Sequence, residues 1–279
     1  MKIKISKLIK RDLIFGFENN KYKFIFTILV FMIIIWINAI NLKYKAFELS
    51  ILSKNVSFID LFFMVFKSGS YDTSSIPVNW ILINIFLTYL IGSYCYDDLS
   101  EDSSHMITRM KSRIDIWISK VIWMMITTLS FYLIILLIIA FFSISMFDLS
   151  FEWSNFSKFQ ILSIMHKNYS GIQFISITMC IYFLTSITMS ILQMLISFVI
   201  KPKFIYIVNI FILMISLHSN KFIVPMQASL ILRQNIFEIG SQFSPINSII
   251  YNLFVFILIF ILGLKYFKYM DILISQKTE

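Results

Sequence analysis

Charge is the first thing this sequence has little of. Asp, Glu, Lys and Arg make up 14% of its 279 residues, against 58% hydrophobic residues and a mean hydropathy of +0.82. Soluble domains carry about 25% charged residues, so the balance excludes a soluble globular protein and indicates an integral membrane protein. An AT-rich genome also enriches Ile, Phe, Lys, Asn and Tyr everywhere, so segment lengths carry more weight here than the average. Cysteine is almost missing as well: Cys95 closes one apolar run and Cys180 lies inside another, at different expected depths, and no disulfide is expected between them. The three histidines, His105, His166 and His218, are isolated, and no spacing typical of a metal site surrounds them. The six glycines are scattered, with no phosphate-binding loop, nucleophile elbow or dinucleotide fingerprint. The chain is therefore expected to bind no cofactor and to catalyse no reaction itself.

What the sequence does have is long apolar runs. A helix needs about 20 apolar residues to cross a hydrocarbon core of about 30 Å. Stretches at 24–40, 80–96, 121–147, 172–200, 204–217 and 249–264 qualify, the fifth being short and dependent on Lys203 snorkelling at its edge. Only Lys201, Pro202 and Lys203 separate the fourth from the fifth, which predicts an antiparallel hairpin. The runs are continuous rather than alternating, so helices are expected and not a barrel. The expected fold is all-α: a polytopic membrane protein with six transmembrane helices.

Basic residues collect on the cytoplasmic side of membrane proteins. With both termini placed inside, the inner segments hold sixteen of the 24 Lys and Arg. The net charge of +9 is thus explained by topology, without nucleic acid as a partner. Residues 1–23 place Lys4, Lys7, Arg11 and Glu18 on one helical face and Ile5, Leu8, Ile9, Leu13, Phe15 and Phe17 on the other. This predicts an amphipathic interfacial helix on the inner membrane surface, with Lys4, Lys7 and Arg11 on anionic lipid. No small-residue cleavage site follows the first span, so the segment is expected to be retained. A transmembrane domain over 24–266 and a cytoplasmic tail over 267–279 complete the expected organisation, in a bacterial cytoplasmic membrane.

No Asp, Glu, Lys, Arg or His lies within the six stretches, which weighs against an ion-coupled carrier and an intramembrane hydrolase. Their polar residues are uncharged, notably Asn84, Thr88, Thr185, Thr188, Gln193 and Asn209. These fit either hydrogen bonding between helices or a mildly polar translocation path. The outer loop 41–79, rich in Phe, Leu and Ile, fits either a helix lying on the membrane or a surface for an amphipathic client.

One charged island interrupts the apolar chain, from Asp97 to Lys120 (DDLSEDSSHMITRMKSRIDIWISK). Met106, Ile107, Met110, Ile114, Trp117, Ile118 and Val121 form a helical apolar stripe, and Arg109, Lys111, Arg113 and Lys120 lie off it. Asp98 followed by Glu101 reads as a capping box with Asp in place of Ser or Thr. An interfacial helix that leads into the third span and a helix that docks on a partner both satisfy this spacing.

Residues 80–123 (WILINIFLTYLIGSYCYDDLSEDSSHMITRMKSRIDIWISKVIW) resemble the region around the second and third spans of type-2 ABC exporter permeases of Gram-positive bacteria. Asp97, Asp98, Leu99, Arg109, Ser112, Arg113, Trp117 and Lys120 stand at the matching positions, whereas Asp102 to Ser104 replace a glycine often found in that family's coupling segment. Elsewhere the similarity is one of layout, including an outer segment at 218–247, with Pro225 and Pro245, that folds as re-entrant helices in the family. The resemblance implies a permease subunit of an exporter for hydrophobic or amphipathic substrates, such as antimicrobial or toxin peptides. It implies a second permease subunit, the same or homologous, and two copies of an ABC ATPase that carry the ATP and Mg. Asp98, Glu101, Met106, Arg109, Met110 and Arg113 would then meet the ATPase through a cytoplasmic coupling helix. A membrane immunity or assembly protein that transports nothing is the alternative, with an ion-coupled carrier behind it.

Overall fold

The computed structural model describes residues 5–49, 56–69, 76–92, 94, 98, 113–197, 202–219, 221 and 224–269, with backbone alone at 113, 202, 203 and 269. Eight α-helices occur among them: α1 (Ile5–Glu48), α2 (Phe58–Phe66), α3 (Val78–Ile91), α4 (Arg113–Met146), α5 (Asn155–Gln160), α6 (Gly171–Ser197), α7 (Pro202–His218) and α8 (Pro245–Tyr269). Three 3-10 turns join them, at Leu162–Ile164, Pro225–Ser229 and Ile231–Arg233. The regular structure of the described residues is thus all helical, and α1, α4, α6 and α8 are long and apolar enough to cross a membrane. Within the runs expected at 80–96 and 204–217, residues 80–91 and 204–217 are helical, but the shorter α3 and α7, of 14 and 17 residues, span about 21 and 26 Å.

Unlike that of a soluble bundle, the exterior is apolar as well as the core. Leu129, Leu133, Leu137, Phe141 and Ile144 of α4 are exposed, as are Ile250, Phe254, Ile257 and Ile261 of α8. Thr127, Thr128 and Ser143 of α4, and Ser248 and Asn252 of α8, are buried instead. Such a surface is stable only against hydrocarbon, where exposed apolar atoms cost nothing and buried hydroxyls can bond across helices.

α1 departs from the sequence expectation. An interfacial helix ending at residue 23 was expected, yet one uninterrupted 44-residue helix runs from Ile5 to Glu48, about 66 Å long. No Pro or Gly stands between residues 17 and 48 to break the hydrogen-bond ladder. Its buried face, Leu8, Asp12, Gly16, Asn20, Thr27, Phe31, Ile35, Ala39, Leu42 and Ala46, recurs every three or four residues apart from one skipped turn, and it packs chiefly along α4. Midway, Phe31 meets Phe86 and Phe131 edge-on, each at 5.5 Å between ring centres.

The chain after α1 departs too. α2 is neither a surface helix nor a client platform: all nine of its residues are buried. Its sequence, FIDLFFMVF, is apolar on every side and offers no face to water. The one charge, Asp60, closes the first turn by accepting from the Ser57 amide (2.8 Å) and from the Ser154 hydroxyl (2.6 Å), and from Ser157. At the far end the Tyr182 hydroxyl donates to Phe66 O (2.7 Å) and the Asn79 amide to Met64 O (3.1 Å). Both helix ends are therefore satisfied inside the fold.

At the same end of the bundle, residues 224–243 form a plug of 3-10 turns rather than longer helices. Arg233, 5% exposed, donates to Ser216 O, Leu217 O and Ser219 O and so caps the C-terminus of α7. Trp80 Nε1 donates to Ser229 Oγ at 2.8 Å and ties the plug to α3.

At the opposite end, two tryptophans of α4 lie against glycines of its neighbours. A Cβ on Gly16 would stand 2.0 Å from Trp123 Nε1, and one on Gly263 would stand 2.1 Å from Trp117 Cζ2. Real Cβ atoms do not approach so closely, so the two helix pairs must separate to admit a side chain. Gly16→Leu and Gly263→Leu are expected to lower the detergent unfolding temperature, each by the equivalent of about 1–3 kcal/mol. Unchanged unfolding in both would refute the contact.

Burial also sets a pH dependence at Asp60, which lies in α2 and outside the spanning helices. Desolvation raises its carboxyl above the ordinary 3.8, partly opposed by the hydroxyls of Ser154 and Ser157 and by Ser57. The folded state therefore holds this proton more tightly than the unfolded chain. The associated stability is complete below 3.8 and is lost as pH rises through the elevated folded value. Asp60→Asn, which cannot ionise, should match the wild type at acid pH and gain on it toward pH 8 in thermal unfolding; parallel curves would exclude this.

Candidate functional site

The charged island is pinned at both ends. Asp98, 4% exposed, and Lys120, 0% exposed, pair directly through Lys120 Nζ and Asp98 Oδ2. Arg11 of α1 pairs with the other oxygen of Asp98 and lies 3.2 Å from Asp12 Oδ1. Lys120 is 3.5 Å from the same Asp12 oxygen. Two cations thus alternate with two carboxylates, and the cluster is neutral as a unit.

The neighbouring groups hold it in place. Ser119 Oγ donates to Asp12 Oδ2 at 2.6 Å, and the Tyr94 hydroxyl donates to the Asp12 carbonyl at 3.2 Å. Lys120 Nζ sits 4.3 Å from the centre of the Tyr94 ring, and that ring is 4.1 Å from Trp123. Adjacent positions on α1 supply Arg11 and Asp12, and adjacent positions on α4 supply Ser119 and Lys120. The ring of charges therefore joins α1, α4 and the stretch after α3.

Of the six expected ATPase contacts, Glu101, Met106, Arg109 and Met110 lie outside the described residues, and Arg113 is described as the first residue of α4 without its side chain. The Asp98 carboxylate is placed in the cluster, between Arg11 and Lys120. Of the three residues expected on lipid, Lys4 lies outside the described residues and Lys7 is exposed. Arg11 is half-buried and paired with Asp98. Sequence reasoning missed Asp12 as a partner. Its signal was a lone carboxylate four residues from both Leu8 and Gly16, on what becomes the buried face.

The six expected path residues are all buried and fall into separate groups. Gln193 of α6 bridges two helices: its amide donates to Thr88 O of α3 (3.0 Å), and its carbonyl accepts from Asn209 Nδ2 of α7 (3.0 Å). Thr185 accepts from Asn252 Nδ2 of α8 at 3.2 Å, and Thr188 lies 3.3 Å from Asn252 O. Asn84 stays within its own helix and donates to Trp80 O. Asn252, and the Tyr132 hydroxyl at 2.5 Å from Ser186 Oγ, belong to the same interior and were missed. A lone Asn inside an apolar span is the signal that was available. The arrangement matches hydrogen bonding between helices, with each bond contributing about 0.6–2 kcal/mol.

Among the described residues, no group of three or more His, Cys, Asp or Glu is placed to hold a metal ion. No family model matches the chain, and no curated protein or solved structure is significantly similar to it.

Removing one member of the cluster leaves one of its charges uncompensated, a loss of up to about 3–5 kcal/mol for a buried charge, although Asp98 keeps Arg11 when Lys120 is lost. Lys120→Met is expected to destabilise by that order in detergent unfolding, and Asp98→Asn by a comparable amount. The double variant should lose less than the two together, because neither residue is then left facing an uncompensated charge. Strict additivity would mean that the two residues act independently.

Proposed function

We propose that the chain is the transmembrane permease subunit of an ATP-driven exporter in a bacterial cell membrane, with six spans and both termini inside. It works with a second permease subunit and two copies of a separate ATPase that bind ATP and Mg. The reading draws on the resemblance of residues 80–123, and one observation carries it further: the island between Asp98 and Lys120 is closed at its base by their ion pair and fastened to α1 by Arg11. A segment so tethered transfers force. Displacement of residues 99–112 by an ATPase acts at once on α1 and α4, and through Trp117 against Gly263 it reaches α8. In this mechanism Glu101, Met106, Arg109, Met110 and Arg113 make the docking face, while Asp98 secures its root. Coupling then takes the form of a rigid-body shift between two packed arrangements.

The apolar exterior and uncharged spans favour a hydrophobic or amphipathic substrate, such as an antimicrobial or toxin peptide. A transport-inactive immunity or assembly protein draws on a different observation, namely that Gln193, Asn209, Thr185 and Asn252 bond to one another as they would in a static bundle. Charge reversal of Arg109 and Arg113 to Glu separates the two readings. The protein should still insert in the membrane, lose co-purification of an ATPase, and lose ATPase stimulation by a hydrophobic peptide. ATPase binding that survives the reversal would refute the docking face, and a wild type that brings down no ATPase would favour the inactive protein.

A further inference from the structure

α2 and α3 are separate helices that follow one path into the bundle. Phe58 N, at the start of α2, donates to Asp148 O (3.1 Å), beyond the end of α4 at Met146. From there α2 descends about 14 Å. Its last residue, Phe66, accepts from the Tyr182 hydroxyl at 2.7 Å, and Tyr182 lies eleven residues, about 16 Å, along α6 from Gly171. α3 begins at that level. The Asn79 side-chain amide donates to Met64 O (3.1 Å) and to Asn38 Oδ1 (3.2 Å), and Asn38 is ten residues, about 15 Å, short of the end of α1. Near its other end α3 meets Gln193 through Thr88 O (3.0 Å), twenty-two residues along α6. The two helices therefore run in the same direction, with a step at residues 67–77 between them.

A break of this kind leaves helix ends inside a membrane protein, and their polar groups must be met by protein or by a ligand. The carbonyls at the end of α2 are met. Phe63 O accepts from Lys67 N (2.7 Å), Met64 O from Asn79 and Phe66 O from Tyr182. The positive groups are not. Lys67 is half-buried, and no acidic side chain among the described residues pairs with it; the charge that acts on it is the like charge of Lys45 of α1. Ser68 is 2% exposed, and its Oγ has no hydrogen-bond partner among the described residues. Pro77 stands at the N-cap of α3 and offers no side-chain acceptor to the first-turn amides. A cation, a hydroxyl and the positive end of a helix thus belong to one step, and no described anion balances them. Ile76 and Val78, at the start of α3, are 69% and 57% exposed, which puts the step beside the apolar exterior.

We propose that the step between α2 and α3 binds one anionic group, a carboxylate or a phosphate, carried by an amphipathic molecule. Lys67 is its counter-ion, Ser68 Oγ donates a hydrogen bond to it, and the apolar tail lies along Ile76 and Val78. An ammonium held half out of water beside a second one weakens the fold until an anion joins it. Binding therefore relieves a strain that the empty step carries. The inference does not depend on the transport reading, since it involves neither an ATPase nor the coupling segment.

The test uses the full-length protein in nonionic detergent, with binding of radiolabelled oleate measured by scintillation proximity. The wild type should bind oleate saturably and at least about tenfold more tightly than oleyl alcohol, which has the chain without the charge. Lys67→Gln should weaken oleate binding at least about tenfold, Lys67→Arg should restore most of it, and Ser68→Ala should weaken it about two- to tenfold. Because Lys67→Gln also removes the repulsion from Lys45, it should unfold at the temperature of the wild type or above, which separates lost binding from a lost fold. Lysophosphatidylglycerol distinguishes the two anions: competition stronger than that of unlabelled oleate identifies the phosphate, weaker competition the carboxylate, and both support the site. Acetate and inorganic phosphate should compete far less than either amphiphile. Equal binding of oleate and oleyl alcohol, or oleate binding untouched by Lys67→Gln, would overturn the proposal. So would competition by acetate or inorganic phosphate as strong as that of the amphiphiles.

Discussion

The structure depends on a cluster of four charges, three of them buried and the fourth, Arg11, half-buried. Arg11, Asp12, Asp98 and Lys120 come from three parts of the chain, and only together are they neutral. An isolated ion in such a place costs several kcal/mol, more than a helix contact returns. The cluster therefore forms as a unit or not at all, and once formed it fixes the start of α4 against the beginning of α1. The tight packing nearby follows from that position. Trp123 lies on Gly16 one turn beyond Lys120, and Trp117 lies on Gly263 one turn before it, so the register set by the ion pairs is the register in which the indoles meet glycine rather than a side chain.

The remainder of the bundle obeys a related constraint with weaker groups. Inside a membrane the apolar side chains contribute little to holding helices together, because lipid solvates them as well as another helix does. Specific alignment then falls to polar contacts and shape. Gln193 between Thr88 and Asn209, Asn252 on Thr185, and the amide pair of Asn38 and Asn79 at 3.2 Å tie α6 to α3, α7 and α8, and α1 to α3. Arg233 and the plug finish the opposite end by taking up the carbonyls that α7 leaves unpaired. Ions at one end, amides between and a capping guanidinium at the other form a graded series, with the strongest interactions at the bundle's ends.

The helical, apolar character of α1, α4, α6 and α8 was legible in the sequence because each holds an apolar run long enough to cross a membrane, and period and length are local properties. Failures came where the decisive partner was distant. Asp98 reads locally as a helix cap with Glu101, yet its carboxylate meets Arg11, 87 residues away. Asp12 looked like one more charge on an amphipathic helix until α4 supplied Ser119 and Lys120. α1 was divided at residue 23 because its composition changes there, from charged to apolar, although nothing in its backbone chemistry ends a helix at that point. α2 was placed on the surface because it lay in a loop between spans, whereas its all-round apolar sequence was the better guide.

These features bear on how the proposed permease converts a push into movement. A coupling segment attached through flexible linkers would dissipate displacement in its own rotation. Here Asp98 and Lys120, on either side of the proposed coupling segment, pair directly, and parting them means breaking pairs in a low-dielectric site, where separation is costly. The soft part of the assembly must then lie elsewhere, in contacts that exchange without stranding a charge. The bonds of Gln193 and Asn252 are between neutral groups, so breaking one strands no charge. In the proposed permease, a stiff charged root would stand beneath an interior held by neutral hydrogen bonds.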